Sequence, residues 1–261
     1  MKKIFLYSAI AILDIGLVGC GSTTLSENNT GTHEVHFSYD GDTGPAYWGS
    51  LKEEWKTCEN GLTLKPVVAG QTHQSPVDFV LAVPVNPSFV LDYNKEIEFK
   101  MLNNGHSIEL ETEGSHLAHV TISGKEYTLK QFHFHSESEH TEDGVHGDME
   151  GHFVNIAADG SIVVLGVIIE ASGAGNSELN KVFDLEIPAA NHENEIRIHI
   201  NPSHILPTGK VYSYSGSLTT PPCTQGVSWN VYTTTIGLNV NKIEMFKSHY
   251  NHNYRPITGT Y

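Results

Sequence analysis

Basic side chains are scarce in this sequence. It contains 15 lysines and arginines against 30 aspartates and glutamates, so its formal net charge at pH 7 is −15. A surface of that charge repels phosphate groups, and we therefore expect no nucleic-acid partner. The composition also lacks the bias of disordered or collagen-like chains, because 39% of the residues are hydrophobic and 17% are charged. These values predict one large domain with a substantial core.

Long apolar runs are missing after residue 18, so no later segment is predicted to cross a membrane. The early apolar run, Ile4 to Val18, follows the basic start Met1-Lys2-Lys3 and is interrupted by Asp14. This pattern is typical of an export signal. The run leads into Leu17-Val18-Gly19-Cys20, which is similar to the lipobox of bacterial lipoproteins. The alternative is a plain cleavable signal that ends one or two residues later.

Three regions follow from this pattern. We predict a lipoprotein-type signal peptide over residues 1–20, a flexible tether rich in Ser, Thr, Asn and Gly over 21–33, and a folded domain over 34–261. The protein is then exported to the periplasm or cell envelope, with a lipid anchor on Cys20. Cysteine is otherwise almost absent, and an exported compartment favours a disulfide between the remaining Cys58 and Cys223. The alternative is two unrelated buried thiols.

Internal repeats are absent and helical patterns are few, the better ones lying near Ser177 to Phe183 and Ile243 to Tyr250. Short apolar or alternating runs between Gly, Pro and Asn are frequent, and such runs indicate strands. They predict a mainly β (α+β) fold: a single domain around a large twisted, mostly antiparallel sheet with a few short peripheral helices. The runs are 89–91, 96–102, 107–110, 116–122, 127–135, 152–157, 162–169, 197–200, 211–215 and 227–232.

The segment Gln131-Phe132-His133-Phe134-His135 carries the main chemical signal. Side chains alternate between the two faces of a strand, so both histidines share one face and both phenylalanines share the other. Two imidazoles at this spacing can bind one metal ion while the phenylalanines pack in a core. His-x-His pairs also occur in ordinary half-buried strands, and the pair alone does not decide between these interpretations.

A catalytic zinc ion needs about three protein ligands and one open position. His152 is the best third ligand, because Glu150 to Val154 repeats the alternation and a short connection can place this strand beside the first. His199, His106 and His140 are rivals, and a half-buried strand histidine is the plainer interpretation of His199.

Oriented acceptors for two of these imidazoles are adjacent in sequence. Gln131 lies two residues before His133 and Glu150 lies two before His152, so each shares a face with its histidine. The plainer alternative is that both are exposed polar positions of amphipathic strands.

A further segment, Ser217 to Cys223, places two threonines before two prolines, which make the backbone rigid. Such a loop can fix a hydroxyl over a site, although a Pro-Pro pair is more often only a turn.

Together the motifs of this sequence resemble those of α-class carbonic anhydrases, the exported bacterial branch in particular. The resemblance covers about residues 37 to 256. The matching motifs are Gly44-Pro45 with Trp48, Gln74 to Asp78, Asn103 to His106, Gln131 to His135, Ser138 to His140, Glu150-x-His152, Val164 to Gly166, Ser217 to Pro222, Trp229, and Asn253 to Pro256.

The resemblance implies one Zn²⁺ per chain, bound by His133, His135 and His152, with Gln131 and Glu150 as hydrogen-bond partners of these ligands. It also implies an apolar pocket for carbon dioxide and supports the disulfide expected above. The pocket residues are Val154, Val164, Leu218, Val227 and Trp229, with Thr220 at the polar rim.

Proton chemistry is implied as well. Thr219 would donate its hydroxyl proton to ionised Glu139 and so orient a zinc-bound hydroxide for attack on carbon dioxide. His106 would shuttle the released proton, and Tyr39 and Asn104 would order the water between His106 and zinc. The implied activity is the reversible hydration of carbon dioxide to bicarbonate and a proton, by a protein that is a monomer or a homodimer.

The alternative is a non-catalytic carbonic-anhydrase-like protein of the cell envelope that binds zinc or acts in adhesion. The gate and shuttle residues favour catalysis, because a binding protein needs neither. The sequence departs from the family pattern at Gly151, Asn155 and Glu109. We expect Gly151 to loosen the strand that bears His152, and Glu109 to add negative charge near the cleft.

Overall fold

The computed structural model describes residues 35–261 except 62–64, 69–70, 72, 94, 113–117 and 191–195. The predicted signal peptide, the tether and the lipidated Cys20 lie outside the described residues. Within the described part of the chain, no helix has both the length and the apolar character needed to cross a bilayer.

Strands dominate the described residues and helices are short. The strands are β1 Lys65–Pro66, β2 Asp78–Phe79, β3 Phe89–Asp92, β4 Ile97–Asn103, β5 Ile108–Thr112, β6 His119–Ile122, β7 Lys125–His135, β8 Thr141–Glu142, β9 Val145–His146, β10 Met149–Ile156, β11 Ile162–Ser172, β12 Ile196–Ile200, β13 Val211–Ser217, β14 Gln225–Asn239 and β15 Gly259–Thr260. The α-helices are α1 Trp48–Leu51, α2 Ser177–Phe183 and α3 Val240–His249, and 3₁₀ turns span Gly41–Thr43, Glu53–Gly61 and Pro202–His204.

One ten-stranded sheet organises the fold. Its strand order is β12-β4-β5-β7-β10-β11-β14-β13, and β6 pairs with β7 and carries β3. The pairing is antiparallel except between β11 and β14, which run parallel. The predicted mainly β, mostly antiparallel architecture is therefore confirmed, and α2 and α3 lie where the helical patterns indicated them.

A second sheet, of order β1-β15-β2-β8-β9, was not predicted. Each of its strands has two residues, which is too short for an alternating pattern to show in the sequence. It joins distant parts of the chain, since β15 near the C-terminus pairs in parallel with both β1 and β2.

The two faces of β7 have different roles. Phe132 and Phe134 are fully buried in the larger hydrophobic core, where Phe132 stacks on Phe153 of β10 with ring centroids 4.9 Å apart. His133 and His135 alternate with them along the strand. The core therefore anchors the back of the strand that presents both histidines.

Candidate metal centre

The pairing of β7 with β10 assembles three histidines. His152 lies opposite His133 in the antiparallel register, and Glu150 lies opposite His135. Residues that face each other across two strands point to the same side of the sheet. The ring centroids are accordingly 5.0 Å apart for His133 and His135, 5.3 Å for His133 and His152, and 4.6 Å for His135 and His152. One ligating nitrogen from each ring lies within 4.8 Å of the others.

The remaining nitrogen of each ring has an oxygen partner. Nδ1 of His133 is 2.7 Å from Oε1 of Gln131, and Nδ1 of His135 is 2.7 Å from the carbonyl oxygen of Asn253. Nε2 of His152 is 3.0 Å from Oε1 of Glu150. The oxygens of Gln131 and Asn253 fix the orientation and tautomer of His133 and His135 and leave their Nε2 atoms for a metal. Nε2 of His152 is near Glu150 without forming a hydrogen bond, and Nδ1 of His152 is its other nitrogen.

The donor set fits zinc. Nε2 of His135 is buried and has no hydrogen-bond partner, which is costly unless a metal or another group satisfies it. Three imidazoles are a ligand set that catalytic zinc ions use, with a fourth position left open. The three histidines thus have both the geometry and the chemistry of a zinc site.

The surroundings of the site favour the neutral form of His133 and His135 and the charged form of Glu150. Burial, together with the neighbouring imidazoles, lowers the pKa of His133 well below its usual value, and burial also lowers the pKa of His135. Burial alone would raise the pKa of Glu150, but His140 and His152 outweigh it and hold that pKa well below its usual value. Neutral imidazoles are the form that binds a metal.

Two of the rival histidines have other contacts, although His140 also lies in a second buried cluster, with Glu150 and His152, whose ligand atoms are close enough to share a metal. Both ring nitrogens of His140 are engaged, Nδ1 with Glu150 at 2.8 Å and Nε2 with the hydroxyl of Tyr214 at 2.7 Å. His199 is exposed on β12, and its Nε2 lies 3.9 Å from a carboxylate oxygen of Glu98. The ring nitrogens of His140 are engaged by Glu150 and Tyr214, so the trio of His133, His135 and His152 is the better candidate for a zinc site.

The loop after β13 is fixed by a disulfide. Cys58 and Cys223 are bonded, which confirms the predicted pairing across 165 residues of sequence. The backbone N–H of Cys223 donates to the carbonyl of Thr220, and Gln74 Nε2 donates to the carbonyl of Cys223. Thr219 is buried in this loop with 5% of its surface exposed.

The expected bond from Thr219 to Glu139 is not formed in this structure. Oε1 of Glu139 accepts the backbone N–H of Arg255 at 2.8 Å, whereas the buried Oε2 has no hydrogen-bond partner among the described residues. Oε2 lies 3.6 Å from Nε2 of His135 and 3.9 Å from Nδ1 of His152. This oxygen of the carboxylate therefore lies on the side of the three imidazoles.

Apolar side chains of β10, β11 and β14 form one wall beside His152. The ring of Trp229 lies 4.8 Å from the ring of His152, and its Nε1 donates to the carbonyl of Ser217. The wall consists of Val154, Val164, Val227 and Trp229, all buried in a second hydrophobic core, with the partly buried Leu218 packed against it. Thr220, the expected rim residue, is partly exposed.

The loop between β4 and β5 presents His106. The ring of His106 stacks on Phe37 at 4.0 Å, and the ring of Tyr39 lies 6.2 Å away. Oδ1 of Asn104 accepts the backbone N–H of His106 at 2.9 Å, so Asn104 supports this loop. Burial, and secondarily the charge of His36, lowers the pKa of His106.

Glu109 lies directly across from His133 on β5, and its Oε2 is 3.3 Å from Nδ2 of Asn104. Burial, and then the neighbouring Glu111, raises the pKa of Glu109 to about 7, so its charge depends on pH near neutrality. Gly151 is buried and pairs with Phe134, and the register of β10 with β7 shifts only further along, between Val154 and Asn155.

Sequence reasoning missed two parts of the site. The role of Asn253 behind His135 could not be seen, although its segment was noted as a family motif. The chain of contacts from Glu150 through His140 and Tyr214 to Ser75 was also missed. Ser75 belongs to a matched motif, but no local sequence pattern around Ser75 or Tyr214 indicates that their hydroxyls form a hydrogen bond.

The comparisons with known proteins agree with the geometry. The model of the family "Eukaryotic-type carbonic anhydrase" matches residues 45–260. A carbonic anhydrase of Klebsiella pneumoniae is 36% identical, covering 85% of this chain and 87% of the relative. A carbonic anhydrase of Neisseria gonorrhoeae is 35% identical, covering 92% and 90%.

A solved structure has the same fold. The α-carbonic anhydrase of Thermovibrio ammonificans, in complex with the inhibitor sulfanilamide, superposes with a TM-score of 0.73 at 35% identity. The match covers 86% of this chain and 95% of that one. With its three convergent histidines, this chain belongs to the eukaryotic-type, or α, carbonic anhydrase family.

Proposed function

We propose that this protein catalyses the reversible hydration of carbon dioxide to bicarbonate and a proton, at one Zn²⁺ bound by His133, His135 and His152. The observation that carries the proposal is the convergence of three imidazole nitrogens while the other nitrogen of each ring faces an oxygen. A zinc ion bound there would lower the pKa of a water ligand to about 7, the value already established for this family, and so supply a nucleophile at neutral pH.

The apolar wall binds the substrate. Carbon dioxide carries no net charge and gains little from hydrogen bonds, so buried side chains such as Val154, Val164 and Trp229 can accept it beside the metal ligands. The wall also excludes water from this side of the site. Thr220 gives the wall a polar rim.

The gate consists of Thr219 and Glu139. Oε2 of Glu139 is an acceptor without a partner among the described residues, and Thr219 lies buried in the disulfide-fixed loop. In the working enzyme, the Thr219 hydroxyl donates to this oxygen and is then restricted to accepting a hydrogen bond from the nucleophile.

His106 removes the proton. Its half-buried ring has a lowered pKa and therefore returns readily to the neutral form that accepts a proton. Tyr39 and Asn104 order the water that connects it with the site. The assignment is supported by Tyr39, whose ring lies near the ring of His106, and by Asn104, which accepts the backbone N–H of His106.

Stopped-flow measurement of carbon dioxide hydration by the purified protein with one equivalent of zinc tests the activity. We expect a hydration rate above that of buffer alone, and a sulfonamide should inhibit it. The variant His135→Ala should lose both the bound zinc and this rate. The exposed His199→Ala is the matched control and keeps the rate. One bound zinc without sulfonamide-sensitive hydration would instead support the non-catalytic zinc-binding or adhesion protein.

We also propose that the lipoprotein-type signal of residues 1–20 is cleaved before Cys20, which becomes the lipidated first residue of the mature protein. Residues 21–33 form a tether, and 34–261 form the catalytic domain in the periplasm or cell envelope. The Cys58–Cys223 disulfide supports an oxidising compartment. Mass spectrometry of the mature N-terminus tests the anchor, since an unmodified residue other than Cys20 excludes it. Light scattering distinguishes a monomer from a homodimer.

A further inference from the structure

Asn253 is connected to both the shuttle loop and a metal ligand. The residue is 2% exposed and lies after α3, far from either partner in sequence. Its backbone carbonyl accepts a hydrogen bond from Nδ1–H of His135 at 2.7 Å. Its side-chain Nδ2 donates to the carbonyl of His106 at 2.8 Å.

The same side chain binds the backbone on both sides of His135. Nδ2 of Asn253 also donates to the carbonyl of Phe134 at 3.0 Å, and its Oδ1 accepts the backbone N–H of Ser136 at 2.8 Å. The orientation of the amide follows from its partners, because a carbonyl can only accept and a backbone N–H can only donate. Asn253 therefore spans three consecutive residues of the ligand-bearing segment.

These bonds fix the backbone of His106 relative to the backbone of His135. The loop that carries His106 has a second tie, from Oγ of Ser107 to the carbonyl of Phe134 at 2.6 Å. The hydrogen bond of Ser107 also reaches β7, but of Ser107 and Asn253 only Asn253 contacts the His135 ring as well. Proton relay is sensitive to the separation of donor and acceptor, and small displacements of a catalytic group are costly.

We propose that Asn253 is a positioning residue for proton transfer: its side-chain amide sets where His106 stands relative to the metal-ligand strand. This inference rests on the proposed function, in which His106 is the proton shuttle. Proton transfer to buffer follows hydration, so the side chain of Asn253 affects kcat at low buffer concentration and has little effect on kcat/KM.

Asn253→Asp tests the inference, because it keeps the volume and the acceptor for Ser136 but loses the donor to His106 and Phe134. We expect kcat in weak buffer to fall roughly ten-fold, kcat/KM to stay within about two-fold, and added imidazole to restore kcat. Asn253→Ser provides a second variant that does not bury a carboxylate. Both keep the backbone carbonyl that faces His135, so zinc content should remain at one equivalent.

Asn230→Asp is the matched control, since Asn230 is also 2% exposed but lies on β14 and bonds Ser213 instead of the shuttle loop. Its kinetics should keep the wild-type dependence on buffer. If Asn253 acts through His106, the double variant His106→Ala/Asn253→Asp should be no slower than His106→Ala. Additive losses, or equal losses in kcat and kcat/KM, would overturn the inference.

Hydrogen exchange tests the positioning without reference to activity. The backbone amides of His106 and Ser107, which donate to Oδ1 of Asn104, should exchange roughly ten-fold faster in Asn253→Asp than in Asn230→Asp. Unchanged exchange would refute the positioning role. If the wild-type protein has no hydration activity, the proposed function is refuted. Hydrogen exchange would still decide whether Asn253 fixes the loop that carries His106.

Discussion

Oε1 of Gln131 lies 2.7 Å from Nδ1 of His133, two residues further along the same face of β7. The amide oxygen can only accept, so it selects the tautomer of His133 that leaves Nε2 free for zinc.

Gln131→Ala should weaken zinc binding about 10- to 100-fold, a range established for such partners in zinc enzymes, carbonic anhydrases included. The ring would lose its fixed orientation while the ligand remains. Competition with a chelator measures the affinity. Lys130→Ala is the control, because Lys130 is exposed on the same strand, and a change equal to that of Gln131→Ala would contradict the role of the hydrogen bond.

His106→Ala should reduce kcat in weak buffer by about 100-fold or more, with kcat/KM retained, because the variant lacks the group that passes the proton to solvent. Added imidazole should restore part of the rate. Stopped-flow measurements over a series of buffer concentrations report the effect. A variant whose kcat keeps the wild-type dependence on buffer would show that His106 is not the shuttle.

Glu109→Gln should change the dependence of stability on pH. Burial and the neighbouring Glu111 raise the pKa of Glu109 from 4.5 to about 7, so the folded protein binds this proton more tightly than the unfolded chain. The stability contributed by the proton is full below pH 4.5 and is lost as the pH rises through 7.

The Glu109→Gln variant lacks this loss, and its side-chain amide still offers an oxygen to Asn104. The variant should therefore match the wild type near pH 4 and exceed it by about 1–2 kcal/mol at pH 8, after allowance for solvent screening. Urea unfolding at the two pH values measures the difference. Glu186→Gln, at an exposed position, is the control, and a gain independent of pH would contradict the prediction.

Gly151→Ala should stabilise the fold by about 0.5–1 kcal/mol, because alanine restricts the unfolded chain more than glycine does. A Cβ at Gly151 would meet Val167 at 3.4 Å and Phe134 at 3.5 Å, which are ordinary contacts. Gly216→Ala is the contrasting variant, since its Cβ would clash with Oγ of Ser75 and should destabilise the fold. Thermal unfolding distinguishes the two, and a loss of stability in Gly151→Ala would show that β10 requires glycine there.

Replacing Cys58 and Cys223 together by serine should reduce the free energy of unfolding by about 2–5 kcal/mol. The disulfide closes a long stretch of chain and fixes the loop that holds Thr219. Denaturant unfolding with and without reductant measures the loss. Reductant should lower the midpoint of the wild type but not that of the double variant, and equal midpoints for all samples would contradict a stabilising disulfide.

The sequence by itself determined the local part of the site. Strand geometry places Gln131, His133 and His135 on one face whatever the rest of the fold does, because side chains alternate with a period of two. The alternation of β10 likewise put Glu150 and His152 on one face, and the family motifs identified the architecture around them.

Tertiary structure decided what depends on contacts between distant residues. The register of β7 with β10 brings His152 opposite His133, the chain end brings Asn253 behind His135, and β5 brings Glu109 across from His133. The orientation of Glu139 toward the imidazoles, in place of the expected bond from Thr219, likewise depends on how distant segments pack. Such relations are set by the pairing of whole strands and by hydrogen bonds between distant segments. The sequence indicated one of them, through the short connection before β10, and no short pattern records the others.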